Sequence, residues 1–296
     1  MCLRFERVIE EQIIRAAIEE QMRKIQSTEL EADESTDRAE DQLQRIAAWF
    51  DSFVATFQTA APEVQRNYDL KIEHTARVRG AMERLTASLS LSPDDRALAA
   101  IIAVCHDVGR FPQYKQYGTF NDAASVNHAS LALQTLKDEG VLAALAADSR
   151  RLILQAIALH NVFALPDNLD PSLGRFARLI RDADKLDIWR VLIEYCSALP
   201  QERASAVVWE LPDTGFCSDA AIQEVVAGRM IHRNMLATVD DFKLLQLSWA
   251  YDLNFREAFA ILSERGYLET LAAFLPEQPG CRDAAAAVQT FVKNRA

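Results

Sequence analysis

The amino-acid sequence predicts an all-α protein. Apolar residues recur at i, i+3 and i+4 along most of the 296-residue chain, whereas alternating apolar and polar patterns are nearly absent. Half of the residues are hydrophobic and a quarter are charged, which is ordinary for a globular protein with a large core. The helical periodicity therefore favours a helix bundle over a fold that is built on a sheet.

The first predicted helix belongs to an acidic N-terminal extension, which we place at residues 1–40. Ile14, Ile18, Met22 and Ile25 form one helical stripe there, and a polar run follows it. The first 41 residues hold 12 acidic and 6 basic side chains, so they carry −6 of the total net charge of −11. This pattern indicates a solvated appendage, and the alternative is an oligomerisation helix that would make the protein a homo-oligomer.

The predicted helical core spans residues 41–200. It begins with a helix that stops before Pro62 and has the apolar anchors Trp49, Phe50, Phe53 and Phe57. The sequence Ser92-Pro93-Asp94-Asp95 is typical of a helix start, with a serine cap, a proline at the first position and acids in the first turn. After breaks at Pro200 and Pro212, residues 201–296 are expected to form an all-α cap packed on the core.

The composition excludes several classes of protein. A pI of about 5.0 is unfavourable for binding duplex nucleic acid or an anionic membrane, because Lys and Arg drive phosphate binding. The longest apolar run, Ala97–Cys105, is too short to span a bilayer, and the N-terminus lacks an apolar signal region. The five cysteines are widely spaced without a C-x-x-C motif, which fits a reducing cytoplasm. Glycine-rich phosphate loops and G-x-S-x-G are also absent from the sequence.

The histidines are few but regularly spaced. Four of the five, His74, His106, His128 and His160, follow one another at intervals of 32, 22 and 32 residues. Each falls in a different predicted helix or at a helix end, and only His232 lies outside the series. This spacing indicates a site assembled from several helices.

The periodicity also indicates which way these polar side chains point. His74 lies four residues before Val78, and Asp184 lies four residues before Ile188, so each shares a helix face with apolar residues. Asp187 in the same predicted helix shares a face with other apolar residues, so periodicity prefers Asp184 only slightly. We therefore expect these groups to project into the interior.

The converging polar residues predict a metal centre. A single inward histidine is usually a hydrogen-bonded core residue, but buried carboxylates are costly unless they are paired or bind a metal. Imidazole and carboxylate together suit Mn, Fe, Ni, Co or Zn, and six ligands exceed what one tetrahedral zinc needs. The set fits two metals roughly 3.5–4 Å apart that share Asp107. The predicted metal ligands are His74, His106, Asp107, His128, His160 and Asp184.

In these residues the chain resembles the HD superfamily of metal-dependent phosphohydrolases. Its pattern of a helical His, a later His-Asp doublet and a final helical Asp is similar to His74, His106-Asp107 and Asp184. His128 and His160 resemble the pair that holds the second metal in binuclear members. The resemblance covers about residues 68–195. The stretches 106–111 and 117–122 are similar to a bacterial HD-domain group described only in general terms as phosphohydrolases, so the substrate is not named.

The resemblance implies an enzyme that hydrolyses a phosphate mono- or diester, such as a nucleotide, with a metal-activated water. The cofactors would be two divalent ions of Mn, Fe, Ni, Co, Zn or Mg. The first ion would be held by His74, His106, Asp107 and Asp184, and the second by Asp107, His128 and His160. Two alternatives use the same residues. One is a di-iron oxygenase acting on a polyol or phosphonate, revealed by tightly bound iron and O₂ uptake. The other is a non-catalytic nucleotide sensor.

Further candidates surround the His-Asp doublet. Asp107, Arg110 and Lys185 are candidate catalytic residues, because Arg110 could offer a bidentate fork to phosphate and Lys185 follows the last ligand. A salt-bridged arginine and a solvated lysine are the alternatives. Candidate substrate-binding residues, besides these two cations, are Tyr114, Tyr117 and Asn121 in the following loop. The alternative for the loop aromatics, which include Phe120, is that they only pack the loop down.

Overall fold

The computed structural model describes residues 39–199 and 211–296, and these residues form helices and connecting loops without a β-strand. The all-α prediction is therefore confirmed. The predicted N-terminal helical stripe lies outside the described residues, and the proposed boundaries at residues 40 and 200 stay predictions. In the described part of the chain, no helix is long and apolar enough to cross a membrane.

The helices are numbered here in chain order. They are α1 (Ala39–Ala55), α2 (Pro62–Ala87), α3 (Pro93–Cys105), α4 (Arg110–Tyr117), α5 (His128–Asp138), α6 (Ala147–Leu159), α7 (Pro171–Ser197), α8 (Asp219–Val226), α9 (Val239–Ser248), α10 (Arg256–Glu264), α11 (Tyr267–Ala273) and α12 (Pro279–Lys293). Short 3₁₀ helices lie in the connections at Asp122–Ala124, Arg233–Met235 and Trp249–Asp252.

The predicted start of α3 is confirmed in detail. Ser92 precedes the helix in an extended conformation, and its hydroxyl oxygen accepts a hydrogen bond from the backbone N–H of Asp95 at 3.0 Å. Pro93 occupies the first helical position, where its missing N–H costs nothing. This cap fixes where α3 begins, and the helix then ends immediately before the His106-Asp107 doublet.

Two long helices, α2 and α7, pack against each other and form the centre of the bundle. The largely buried α3 packs against both of them and against α1, and α6 packs against α7. One continuous cluster of buried apolar side chains extends from Ile46 in α1 to Val292 in α12. The helices after residue 211 join this core because α10 and α11 pack against α7, and α10 also touches α2.

An aromatic cluster anchors the chain after the His-Asp doublet. Phe111, which is only 1% exposed, has its ring 5.6 Å from that of Phe57 and 6.1 Å from those of Phe53 and Tyr68. The predicted aromatic helix is α1, although it ends at Ala55 and Phe57 lies in the following turn. Burying a large ring directly after Arg110 holds the first turn of α4 against α1 and α2.

Candidate metal centre and substrate cavity

The six predicted metal ligands come together at one place in the bundle. His74 lies in the middle of α2, and Asp184 lies in the middle of α7. His106 and His160 each follow the last residue of a helix, and His128 is the first residue of α5. Long helices thus supply two ligands, and helix ends supply the others.

A glycine allows α5 to approach the doublet. A Cβ atom on Gly109 would lie 2.2 Å from the backbone oxygen of His128 and 2.5 Å from the backbone nitrogen of Ala132. Both contacts are with backbone, so no side-chain movement could relieve them. Only glycine lets the backbone of α5 come this close, and this approach brings His128 beside Asp107.

Three of the ligands form a first group, His74, His106 and Asp184, whose ligating atoms all lie within 4.8 Å of one another. Asp184 Oδ1 is 3.0 Å from His74 Nε2 and 3.8 Å from His106 Nε2. Both Nε2 atoms are buried, and neither forms a hydrogen bond within the described part of the chain. Buried nitrogens without a hydrogen bond are costly unless another partner binds them.

The second group consists of Asp107, His128 and His160, which also lie within 4.8 Å of one another. Asp107 Oδ1 is 3.4 Å from His128 Nε2 and 3.8 Å from His160 Nε2. The two Nε2 atoms approach each other to 2.9 Å. All three side chains of this group are buried.

Asp107 faces both groups with different oxygens. While Oδ1 points to the second group, Oδ2 lies 3.6 Å from His74 Nε2 and 3.9 Å from His106 Nε2 in the first group. This carboxylate therefore has the position that a bridging ligand between two metal ions requires. The donor set of imidazoles and carboxylates suits divalent transition metals, and these clusters could bind metal ions.

Every ligating histidine is oriented through its other ring nitrogen. Nδ1 of His74 donates to Asp187 Oδ2 at 2.7 Å, and Nδ1 of His128 donates to Asp122 Oδ2 at 2.7 Å. Nδ1 of His106 donates to a backbone carbonyl at 2.9 Å, and Nδ1 of His160 to another at 2.7 Å. Each Nε2 is left to face the centre, which is the arrangement seen behind metal-bound imidazoles.

Asp187 lies behind the candidate ligand His74 instead of facing the centre. Its Oδ1 accepts hydrogen bonds from Arg77 Nε and Arg190 Nε, each at 2.8 Å, while Oδ2 holds His74. Burial alone would raise the pKa of Asp187, but these partners lower it to about 2. The ambiguity between the two aspartates in the sequence is thus resolved, since Asp184 faces the centre and Asp187 lies behind His74.

His74 and the two histidines of the second group have opposite pKa shifts. Burial lowers the pKa of His128 and His160, and that of His160 falls to about 3. Burial and the charge of Lys71 lower the pKa of His74, but the neighbouring carboxylates of Asp184 and Asp187 favour its protonated form, and the net pKa is raised. The second group therefore holds neutral imidazoles, the form that binds metal ions.

The bridging carboxylate stays charged in spite of its burial. Burial would raise the pKa of Asp107, but the charges of Lys71, His106 and Arg110 hold it well below its usual range. Lys71 Nζ lies 2.8 Å from Asp107 Oδ2, and Arg110 Nε lies 3.5 Å from Asp107 Oδ1. Positive side chains therefore flank this carboxylate, in a chain whose net charge is −11.

The centre opens into a cavity of about 520 Å³. Five of the six predicted metal ligands line it, all except His106, together with Lys71, Arg110, Arg181, Lys185, Arg233 and a set of apolar side chains. Phe120 also lines the cavity, and its ring lies 5.4 Å from Lys71 Nζ. The part of the cavity next to the metal centre therefore combines buried carboxylates with several cations, which suits an anionic ligand.

Arg110 and Lys185 both reach this cavity, but each already has an anionic partner. Arg110 Nη1 donates to the backbone oxygen of Phe120 at 2.6 Å and to Asp122 Oδ1 at 3.0 Å. Lys185 Nζ donates to Asp252 Oδ2 at 2.7 Å. Arg110 thus stabilises the segment that carries Phe120 and Asp122, and it is also a candidate for phosphate binding.

The remaining predicted substrate-binding residues lie away from the cavity wall. Tyr114 is buried, with its hydroxyl accepting a hydrogen bond from Asn67 Nδ2 at 2.9 Å, and Tyr117 is 41% exposed. Asn121 Oδ1 accepts from the backbone N–H of Ala123 and from Arg233. Of the loop aromatics, Phe120 lines the cavity, and Tyr114 packs the loop in place.

Sequence reasoning missed Lys71, Asp122 and the supporting role of Asp187. Lys71 lies one helical turn before His74, so the i, i+3 spacing on α2 could have indicated it. Asp122 belongs to the stretch 117–122 that the sequence singled out, but no periodicity in a loop shows which side chain turns inward.

A model of the HD domain family matches residues 72–189 of the chain. This range includes all of the candidate ligands and both aspartates of α7 that face the histidines. No curated protein and no solved structure matches the chain.

Proposed function

We propose that this chain, which belongs to the HD-domain family through residues 72–189, hydrolyses a small phosphate ester at a binuclear metal centre. HD domains are usually found in metal-dependent hydrolases. The observation that carries the proposal is the pair of cations, Lys71 and Arg110, beside the carboxylate that faces both ligand groups. A phosphoryl group is the natural ligand for such a combination of charges.

The roles of the residues follow from their positions. The first ion would be held by His74, His106, Asp184 and one oxygen of Asp107, and the second by His128, His160 and the other oxygen. Divalent ions in such a site supply Lewis acidity toward phosphoryl oxygens and lower the pKa of water toward about 7.

The cations of the cavity would bind and orient the substrate. Lys71 can exchange its contact with Asp107 for a phosphoryl oxygen, since its ammonium group is a mobile point charge at the cavity wall. Arg110 is less mobile because Asp122 and the carbonyl of Phe120 hold it. Lys185 is paired with Asp252, so its charge is partly neutralised before the substrate arrives.

The test combines elemental analysis of the purified protein with a phosphate-release screen in added Mn²⁺, Mg²⁺ or Ni²⁺. The screen spans nitrophenyl phosphates, nucleoside mono- and triphosphates and cyclic nucleotides. We expect bound transition metal and metal-stimulated phosphate release. Absence of both would refute the proposal, and tightly bound iron with O₂ uptake on a polyol or phosphonate would assign the centre to an oxygenase.

Lys71→Met gives a sharper test, because it keeps the length of the side chain and removes its charge. We expect KM for the phosphate ester to rise by about tenfold or more, since a charge-assisted hydrogen bond contributes about 1.5–3 kcal/mol. Lys115→Met is the matched control, since Lys115 is exposed on α4 and lies outside the cavity. Equal KM values for the two variants would remove Lys71 from the substrate site.

A further inference from the structure

The cavity extends well beyond the metal centre along α7. Asp184, Ile188 and Val191 all line it, and they follow one another at four- and three-residue steps on one face of the helix. With a rise of about 1.5 Å per residue, Val191 lies about 10 Å farther along the axis than Asp184. This distance exceeds the size of a phosphoryl group, so the far part of the cavity is available to the rest of a substrate.

The opposite wall of this far part comes from α9. Phe242 and Leu245 on α9 and Trp249, which directly follows the last residue of this helix, line the cavity at three- and four-residue steps. Met230 adds another apolar side chain. The cations, by contrast, are tied to the near end, since Arg233 pairs with Asn121 and Lys185 directly follows Asp184 in α7. The far end is therefore apolar and aromatic rather than charged.

One polar group interrupts this apolar wall. Gln246 lines the cavity and is only 1% exposed, and its Oε1 atom is buried without a hydrogen-bond partner within the described residues. Its backbone is fixed, because Trp189 Nε1 donates to the carbonyl oxygen of Gln246 at 2.8 Å. A buried carboxamide oxygen without a partner is costly, so a residue kept in this state indicates a partner that binds from the cavity.

His232 gives a second, independent observation. It lines the same cavity, its Nδ1 is buried without a hydrogen-bond partner, and its ring lies 4.3 Å from the ring of Phe163. The backbone N–H of Ile231 donates to Ser248 Oγ at 3.1 Å, which fixes this segment against the end of α9 that carries Gln246. The one histidine outside the metal centre thus faces the same space as the unpaired carboxamide oxygen.

We propose that Gln246 and His232 form a recognition subsite for the organic group of the substrate, and that this group is a flat ring with a hydrogen-bonding edge. Trp249 and Phe163 offer aromatic surface for stacking on the faces of such a ring. A carboxamide and an imidazole can each donate or accept a hydrogen bond, so they can recognise the donors and acceptors at the edge of the ring. This inference rests on the proposed phosphohydrolase function for the near end of the cavity, but the subsite is testable by itself.

The first experiment measures binding of adenosine, guanosine, cytidine and uridine to the purified full-length protein by calorimetry. These probes carry the ring and its edge but no phosphate, so they report on the far subsite alone. We expect at least one nucleoside to bind, and Gln246→Leu to weaken it by about fivefold or more, the equivalent of one hydrogen bond. Gln134→Leu, at an exposed position of α5, is the matched control.

Thermal unfolding separates recognition from a structural role. Since Oε1 of Gln246 has no partner to lose, Gln246→Leu should leave Tm unchanged or raise it. A lowered Tm with unchanged nucleoside affinity would make Gln246 a structural residue and overturn the proposal. His232→Ala, in a partly exposed segment, provides a second variant that is expected to weaken the same nucleoside.

Turnover then distinguishes failure of the subsite from failure of the proposed function. Gln246→Leu should raise KM for the nucleoside monophosphate by a larger factor than KM for glycerol phosphate. If all esters are hydrolysed but Gln246→Leu and His232→Ala change KM equally for esters with and without a ring, the subsite is wrong and the phosphohydrolase proposal stands. If nucleosides bind but no ester is hydrolysed with any metal, the subsite stands and the phosphohydrolase proposal is wrong.

Discussion

The two halves of the candidate metal centre are supported in different ways. The first half takes His74 and Asp184 from the middle of the two longest helices of the bundle, and Asp187, clamped by two arginines, holds His74 in place. The second half takes its histidines from helix ends, and Asp122 in a loop holds His128. The first half is thus built into the core, whereas the second depends on loops.

The region after residue 211 contributes to the second half. Arg181 is only 3% exposed, and its Nη1 donates to the backbone oxygens of His160 and Val162. Its Nη2 donates to Asp252 Oδ2 at 2.6 Å. Asp252 belongs to the C-terminal helices, so these helices orient the arginine that holds the turn containing His160. We therefore expect substitutions outside the two groups to affect the second half more strongly than the first half.

Asp107→Asn should have the largest effect, because it changes the one residue that belongs to both halves. Asparagine keeps the size of the side chain but loses its charge and one of its two acceptor oxygens. We expect bound metal to fall from two ions per chain to one or none, and activity to fall by about 10³-fold, since Lewis acidity contributes several kcal/mol. Elemental analysis and phosphate release measure both. Asp94→Asn is the control, because Asp94 is exposed at the start of α3. Full metal content in Asp107→Asn would contradict the assignment of Asp107 as the ligand that the two ions share.

His106→Ala and His160→Ala compare the halves directly. Each removes one Nε2 ligand from its own group, so each should leave about one tightly bound ion per chain, and the double variant should leave none. The metal affinity of the affected half should fall by more than about 100-fold. This exceeds the usual loss when a residue that only hydrogen-bonds to a metal ligand is removed. Calorimetric metal titration separates the two ions. If one single variant lost both ions, the halves would not be independent.

Gly109→Ala is expected to affect the second half selectively. The added methyl group would collide with the backbone of α5, move His128 away from Asp107 and destabilise the protein by about 1–3 kcal/mol. We expect loss of one ion and a lower Tm. Gly80→Ala is a matched control, since a Cβ there meets nothing within 4 Å and alanine favours a helix by about 1 kcal/mol. Retention of both ions in Gly109→Ala would show that α5 can shift without cost to the centre.

Asp187→Asn and Asp122→Asn should have the smallest effects, because both residues act through a histidine. Each substitution should weaken metal binding in its own half by about 10–100-fold. Asp122→Asn should also loosen Arg110, which donates to the same carboxylate, and so raise KM as well. Asp187→Asn should leave KM unchanged, since no cation of the cavity binds Asp187. Equal KM values for the two variants would mean that the carbonyl of Phe120 and the side chain of Gln113 hold Arg110 without Asp122.

The sequence predicted the fold class and the polar residues that converge at one place in the bundle, but it did not predict which residues after the His-Asp doublet line the cavity. Helical periodicity persists through packed helices, and His74 and Asp184 lie on the inward faces that it predicted. Tyr114 and Tyr117 lie in the short helix α4, where the sequence predicted a loop, and Asn121 follows it. The structure uses Tyr114 and Asn121 for packing and hydrogen bonds. Lys71 was missed because the sequence does not distinguish a solvated lysine on a helix from one that faces a carboxylate, here Asp107, on another part of the chain.

The sequence by itself determined the all-α class, the start of α3 and the inward direction of the spaced histidines, because local periodicity and capping need only neighbours along the chain. Only the tertiary structure decided that Asp107 divides its two oxygens between the two groups, that Asp187 hydrogen-bonds to the far side of the His74 ring, and that Gln246 and His232 line one cavity. These facts depend on distances between helices far apart in sequence, and such distances are set by packing.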